Sequence, residues 1–212
     1  MTKIWVALFI LSTVSAYGQS GKYNDAMQKN LSRFDSSKST QDYQALGANF
    51  ERIGDAEKTE WLPYYYSALA LLTPGWSDPK IDKDDNATKI KSLIDKAEAL
   101  VKDSADKAEL LSLRNMTATQ QMLVDPQSRW MSYGQEGANY LKQAKELAPE
   151  NPRLAYLEAA GVFGTPEQFG GGKAKAKPLL EKAVMLFKAE KPKPLHPQWG
   201  QKIAEDMLAQ CN

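Results

Sequence analysis

The chemistry open to this chain is set by very few reactive side chains. Its 212 residues include one histidine, His196, and one cysteine, Cys211. A nucleophile–base pair or a zinc site would have to be built around these two, with carboxylates supplying the remainder. His196 stands between Leu195 and Pro197 in a proline-rich connection, where packing or a surface position is the simpler reading. Carboxylates are plentiful, but no spacing singles out a catalytic pair. The expectation is a non-enzymatic protein with no catalytic residue, no cofactor and no metal site.

Two stretches look like ion sites at first sight. Asp82, Asp84 and Asn86 open with calcium-loop spacing, but Ala87 stands at the sixth position and Leu93 at the twelfth. Those positions need the turning glycine and the bidentate glutamate, so the acids read as a solvated loop and helix N-cap. Gly170-Gly171-Gly172-Lys173 precedes a helix and could present backbone amides to an anion. No Ser or Thr follows the lysine, and a glycine turn that lets two helices pack explains the same residues.

The stronger candidates for binding are aromatic. Trp61, Tyr64, Tyr65 and Tyr66 lie in one apolar helix from about Glu60 to Leu72, and Trp76 follows in the next loop. Three successive tyrosines sweep roughly 200° of a helix surface, so they cannot all face one core. At least one hydroxyl is expected on a rim or groove.

Charge and targeting narrow the partners. Lys3, the apolar run from Ile4 to Val14 and the small residues of Ala16-Tyr17-Gly18 read as a signal peptide over residues 1–18. This leaves 19–212 as a single exported domain, periplasmic or secreted, with no membrane span after cleavage. The formal charge of +1 falls to zero when Lys3 is removed, which gives no general attraction for nucleic acid. A lone cysteine forms no intramolecular disulfide; it either pairs two chains or packs as an inert thiol.

The elements that must position these side chains are helical. From Gln19 onward the apolar residues recur at helical spacing and no run alternates as a strand does. About nine helices are expected, broken at Ser39, Thr73-Pro74-Gly75, Asp125-Pro126, the 170–172 glycines and the prolines from Pro192 to Pro197. Ser104 is expected to cap the helix that follows it. Gly137, Leu141 and Ala144 have spacing 0, 4, 7, and Ala176, Leu180 and Ala183 repeat it 39 residues later. Small residues at such positions let two antiparallel helices approach, while the large one fills the groove between them.

On these residues, with Tyr43, Leu46, Gly47, Phe50 and Gly54 as a further match, residues 40–190 resemble a degenerate tetratricopeptide array. The resemblance implies an all-α fold of antiparallel hairpins stacked as a short solenoid, with no sheet. It implies an interaction module that holds a partner protein or peptide in a groove. The alternative is a small-ligand carrier, such as a transport accessory, with an aromatic pocket.

Overall fold

A computed structural model describes residues 14–34 and 36–211. The apolar residues 4–13 assigned to the signal peptide lie outside the described residues. Ten α-helical segments follow in order: α1 Val14–Phe34, α2 Thr40–Glu57, α3 Leu62–Leu72, α4 Lys83–Glu98, α5 Ser104–Met122, α6 Pro126–Arg129, α7 Gln135–Leu147, α8 Pro152–Gly164, α9 Lys173–Ala189 and α10 Gln201–Ala209. A π-helical turn, Trp130–Gly134, joins α6 to α7 without a break, so the three form one long irregular helix. There is no strand among the described residues.

Local chemistry fixes the helix starts. Ser39 and Asp42 form a reciprocal capping box on α2, which satisfies amides that have no intrahelical acceptor. Asp82 accepts from the amides of Asp84 and Asp85 and starts α4 at Lys83, so Asp84 and Asn86 lie inside the helix and not in the expected solvated loop. The acids that mimic a calcium loop are therefore a cap and a first helical turn. Asp103, not Ser104, caps α5, its carboxylate accepting from the amide of Ala105 at 2.7 Å. The anionic oxygen is the stronger acceptor for an amide at the positive end of a helix.

The helices pack as antiparallel neighbours, α2 with α3, α5 with α7 and α8 with α9. α4 packs against both α3 and α5, a single helix interposed between hairpins. α3 is apolar on every side and forms the centre of the main core, with Leu46 and Phe50 from α2, Ile90 and Ile94 from α4, and Leu110 and Leu113 from α5 around it. The repeat residues do what their sizes predict. A Cβ placed on Gly137 would lie 3.5 Å from the Ala118 methyl of α5, and Ala144, Ala176 and Ala183 are fully buried. Close approach at these points packs α7 onto α5 and α9 onto α8.

One buried polar network ties the stack together. Arg153 of α8 donates from Nε to both oxygens of Glu109 of α5, at 2.9 and 3.0 Å, and from Nη2 to Glu190 at 2.6 Å. Burial, with the Glu190 carboxylate adding to it, holds the Glu109 carboxyl above its ordinary value; the guanidinium and the Asn151 amide oppose the rise in part, and the geometry is that of a charge-assisted pair. The Tyr65 hydroxyl lies 3.4 Å from Glu109 and accepts from the Trp199 indole at 2.6 Å. The segment before α10 is thereby fastened to the central helix.

Candidate functional site

The five aromatic candidates separate into two groups. Trp61, Tyr64, Tyr65 and Tyr66 are all buried in the main core, and each tyrosine hydroxyl is held by a different element. Tyr64 donates to Asp55 of α2 at 2.8 Å, and Tyr66 donates to the Leu195 carbonyl at 2.8 Å. Only the Tyr64 hydroxyl reaches a rim, where exposed Asp55 and Lys96 meet it. These rings hold helices together and offer no free face. Trp76 is different, with 47% of its surface exposed.

Gly170, Gly171 and Gly172 form the turn between α8 and α9. Gly170 and Gly172 have φ of +91° and +99°, and a Cβ on Gly171 would fall 2.2 Å from the Thr165 carbonyl oxygen. Their three amides donate to Glu167, Pro166 and Val162 carbonyls, so none is left for an anion. The Lys173 ammonium lies 5.8 Å from the Phe163 ring centre. Cys211 is half-buried, its thiol directed to the Met207 carbonyl.

Trp76 belongs to a surface that its sequence neighbours do not reveal. The C-terminal ends of α3 and α5, the start of α4 and the α6–π turn all meet at one end of the stack. Gln120 of α5 donates to the Leu72 carbonyl, and its side chain lies where a Cβ on Gly75 would stand. Leu123, Val124, Trp130 and Met131 are exposed at the same end, Met131 to 71%. Phe169, in the turn between α8 and α9, is 74% exposed on a different hairpin. Nine large apolar side chains are exposed among the described residues, and five of them, from Trp76 to Met131, are gathered at the end of the stack. Such a concentration marks a binding surface.

The π turn presents it. An extra residue in a helical turn shifts side chains out of register, and such turns recur at functional sites. The Trp130 indole lies over Gly134, where a Cβ would come within 2.6 Å of the ring; the Met122 sulfur would be 3.1 Å from the same Cβ. Tyr133 has the Arg129 guanidinium 5.6 Å and the Lys91 ammonium 5.8 Å from its ring centre. Arg129 in turn bonds Asp84 of α4 and the Gln121 carbonyl. The Gln121 hydrogen bond, then Arg129, hold the Asp84 carboxyl below its ordinary range. The result is an open apolar face with cations at its edge.

A second recess, about 490 Å³, opens at the opposite end, between the α7–α8 connection, the end of α9 and the segment from Lys191 to Pro197. His196 lines it. Its Nδ1 lies 3.1 Å from the Pro194 carbonyl oxygen and its Nε2 3.2 Å from an Asp106 carboxylate oxygen, while the ring stands edge-on to Trp61. Both ring nitrogens are therefore engaged. The preceding Leu195 has φ of +63°, an uncommon conformation for a leucine.

No family model matches the sequence, and no curated protein matches it. Among solved structures it is similar to the HusA haemophore from Porphyromonas gingivalis, at 36% identity over 89% of this chain and 92% of that chain, with a TM-score of 0.80.

Proposed function

We propose that this protein is a haem carrier, because the chain belongs to the same family as the HusA haemophore. The observation in the structure that supports the reading is the apolar face of Trp76, Leu123, Val124, Trp130 and Met131. Haem is a broad, flat, largely apolar disc, and exposed indoles and aliphatic side chains are what such a disc packs against. Arg129 and Lys91 at the edge suit its two carboxylates, although each already has an acidic neighbour, Asp84 and Glu136 respectively. Met131 and Tyr133 are the side chains there whose atom types ligate haem iron. Bound haem supplies the iron and its colour; the protein supplies apolar cover, charge and a fixed orientation, with no chemical step.

This reading favours the small-ligand alternative over a groove for a peptide partner. It fits an exported, non-enzymatic protein carrying the leader expected from Lys3 and the following apolar run. A second reading seats haem in the recess beside His196, the only imidazole in the chain. It is weakened by the hydrogen-bonding groups that face both ring nitrogens.

Haemin titration, followed by the Soret band, separates these readings. The Trp130→Ala, Leu123→Ser double variant is expected to weaken binding about 30-fold, the effect of losing two central apolar contacts. His196→Ala is expected to leave affinity unchanged. The reverse pattern would move the site to the His196 recess, and no Soret shift in the unaltered protein would end the haem reading.

A further inference from the structure

The chain's charge is distributed unevenly in a way that haem binding does not use. Between residues 168 and 204 there are eight lysines against two glutamates, a net of +6, while the whole chain carries +1 and the remainder therefore −5. Five of the lysines lie on α9, and none of these five forms an ion pair among the described residues, whereas Glu190, just beyond the helix, is bound by Arg153. Their arrangement around the helix is informative. At roughly 100° per residue, Ala174, Pro178, Met185 and Ala189 make one exposed ridge opposite the buried Ala176, Leu180 and Ala183. Lys173, Lys177 and Lys188 line one flank of that ridge; Lys175 and Lys182 line the other. Met185 stands 61% exposed along it. The acid on this surface is Glu181, which lies between the first flank and the ridge.

We propose that α9 docks this protein in-plane on an anionic bilayer surface. An apolar ridge flanked on both sides by lysines suits an interface: the ridge sinks to the level of the headgroups and the ammonium groups reach outward to phosphates on long apolar stems. Charge alone would suit any acidic partner. The ridge running along the centre of the basic face is what favours a lipid surface, where apolar depth and negative charge occur together. The buried side of α9 is filled by α8 and α10, so the helix docks as part of the folded protein without leaving the stack.

Vesicle flotation of the purified protein tests the proposal. It is expected to float with vesicles of phosphatidylcholine containing phosphatidylglycerol, to be released by salt, and to stay behind with phosphatidylcholine alone. Losing two interfacial lysines in Lys175→Gln, Lys182→Gln should lower the partition coefficient about 30-fold. Met185→Ser should lower it about tenfold. Both variants have surface changes and should melt as the unaltered protein does, by circular dichroism. Equal flotation on neutral vesicles, no flotation, or unchanged partition of the lysine variant would each overturn the proposal. So would retention on soluble polyglutamate without vesicle binding, which would assign the face to an acidic macromolecule. Haemin binding does not enter these readouts.

Discussion

Replacing Arg153 with methionine removes the one cation from a buried group of charges. Arg153 and Glu109 are each only 4% exposed, and the guanidinium bonds both Glu109 oxygens as well as Glu190. Methionine keeps the bulk and leaves Glu109 with Asn151 and Tyr65 as its remaining partners. Stranding a buried charge in this way costs about 3–5 kcal/mol, a large share of the roughly 5–15 kcal/mol that holds a domain folded. At about 2–4 °C per kcal/mol for a chain of this size, the melting temperature should fall by about 10 °C. The deficit should also depend on pH. Burial raises the orphaned carboxyl's folded-state pKa above its unfolded value, so the penalty is full at neutral pH and relieved as pH falls through the raised value. Urea unfolding followed by tryptophan fluorescence, repeated from about pH 7 to about pH 5, reads both effects. The Glu109→Met, Arg153→Met pair, with no stranded charge, should recover much of the loss. A single-variant loss under about 1 kcal/mol, or a deficit that widens on acidification, would refute the reasoning.

Other substitutions probe the packing and the apolar face. Gly134→Ala places a methyl where the Trp130 indole lies; haemin affinity should drop about tenfold with little change in melting temperature, read by Soret titration and calorimetry. Ala183→Leu forces a large side chain into a fully buried small-residue position and should cost about 1–3 kcal/mol in urea unfolding. Asp42, Asp84, Asp103 and Asp125 are all held below the ordinary aspartate value of 3.8 by hydrogen bonds, with cationic neighbours assisting. A depressed folded-state value stabilises above the unfolded pKa and ceases to as pH falls through the folded one. Helix content by circular dichroism should therefore hold down to about pH 4 and be lost below it.

The all-helical fold was legible because helix signals are local. Apolar spacing, the break at Asp125-Pro126 and the small residues at 137, 144, 176 and 183 each act within a turn or across a single helix pair. The start of α4 is hard to place from sequence because Asp82–Asn86 resembles an ion loop, although Asp82 followed by Asp84 and Asp85 equally suits an acidic first turn. The aromatic candidates suggest a groove because three tyrosines in a row cannot share one face. α3 has neighbours on almost every side, so each tyrosine meets a different one; a helix apolar all round was the available sign of a central position. The exposed face at Trp130 and Met131 had a fainter signal, the apolar pair Leu123-Val124 placed at a helix end just before a proline. The π turn, which packs against α5, had none. The His196 contact with Asp106 joins residues 90 positions apart, which local patterning does not encode.

Amide hydrogen exchange with and without haemin tests the haem site most directly. Protection should appear across residues 120–134 and at Leu72–Trp76, with exchange near Leu186–Pro197 unchanged. Protection confined to the His196 recess, or no protection anywhere, would contradict it.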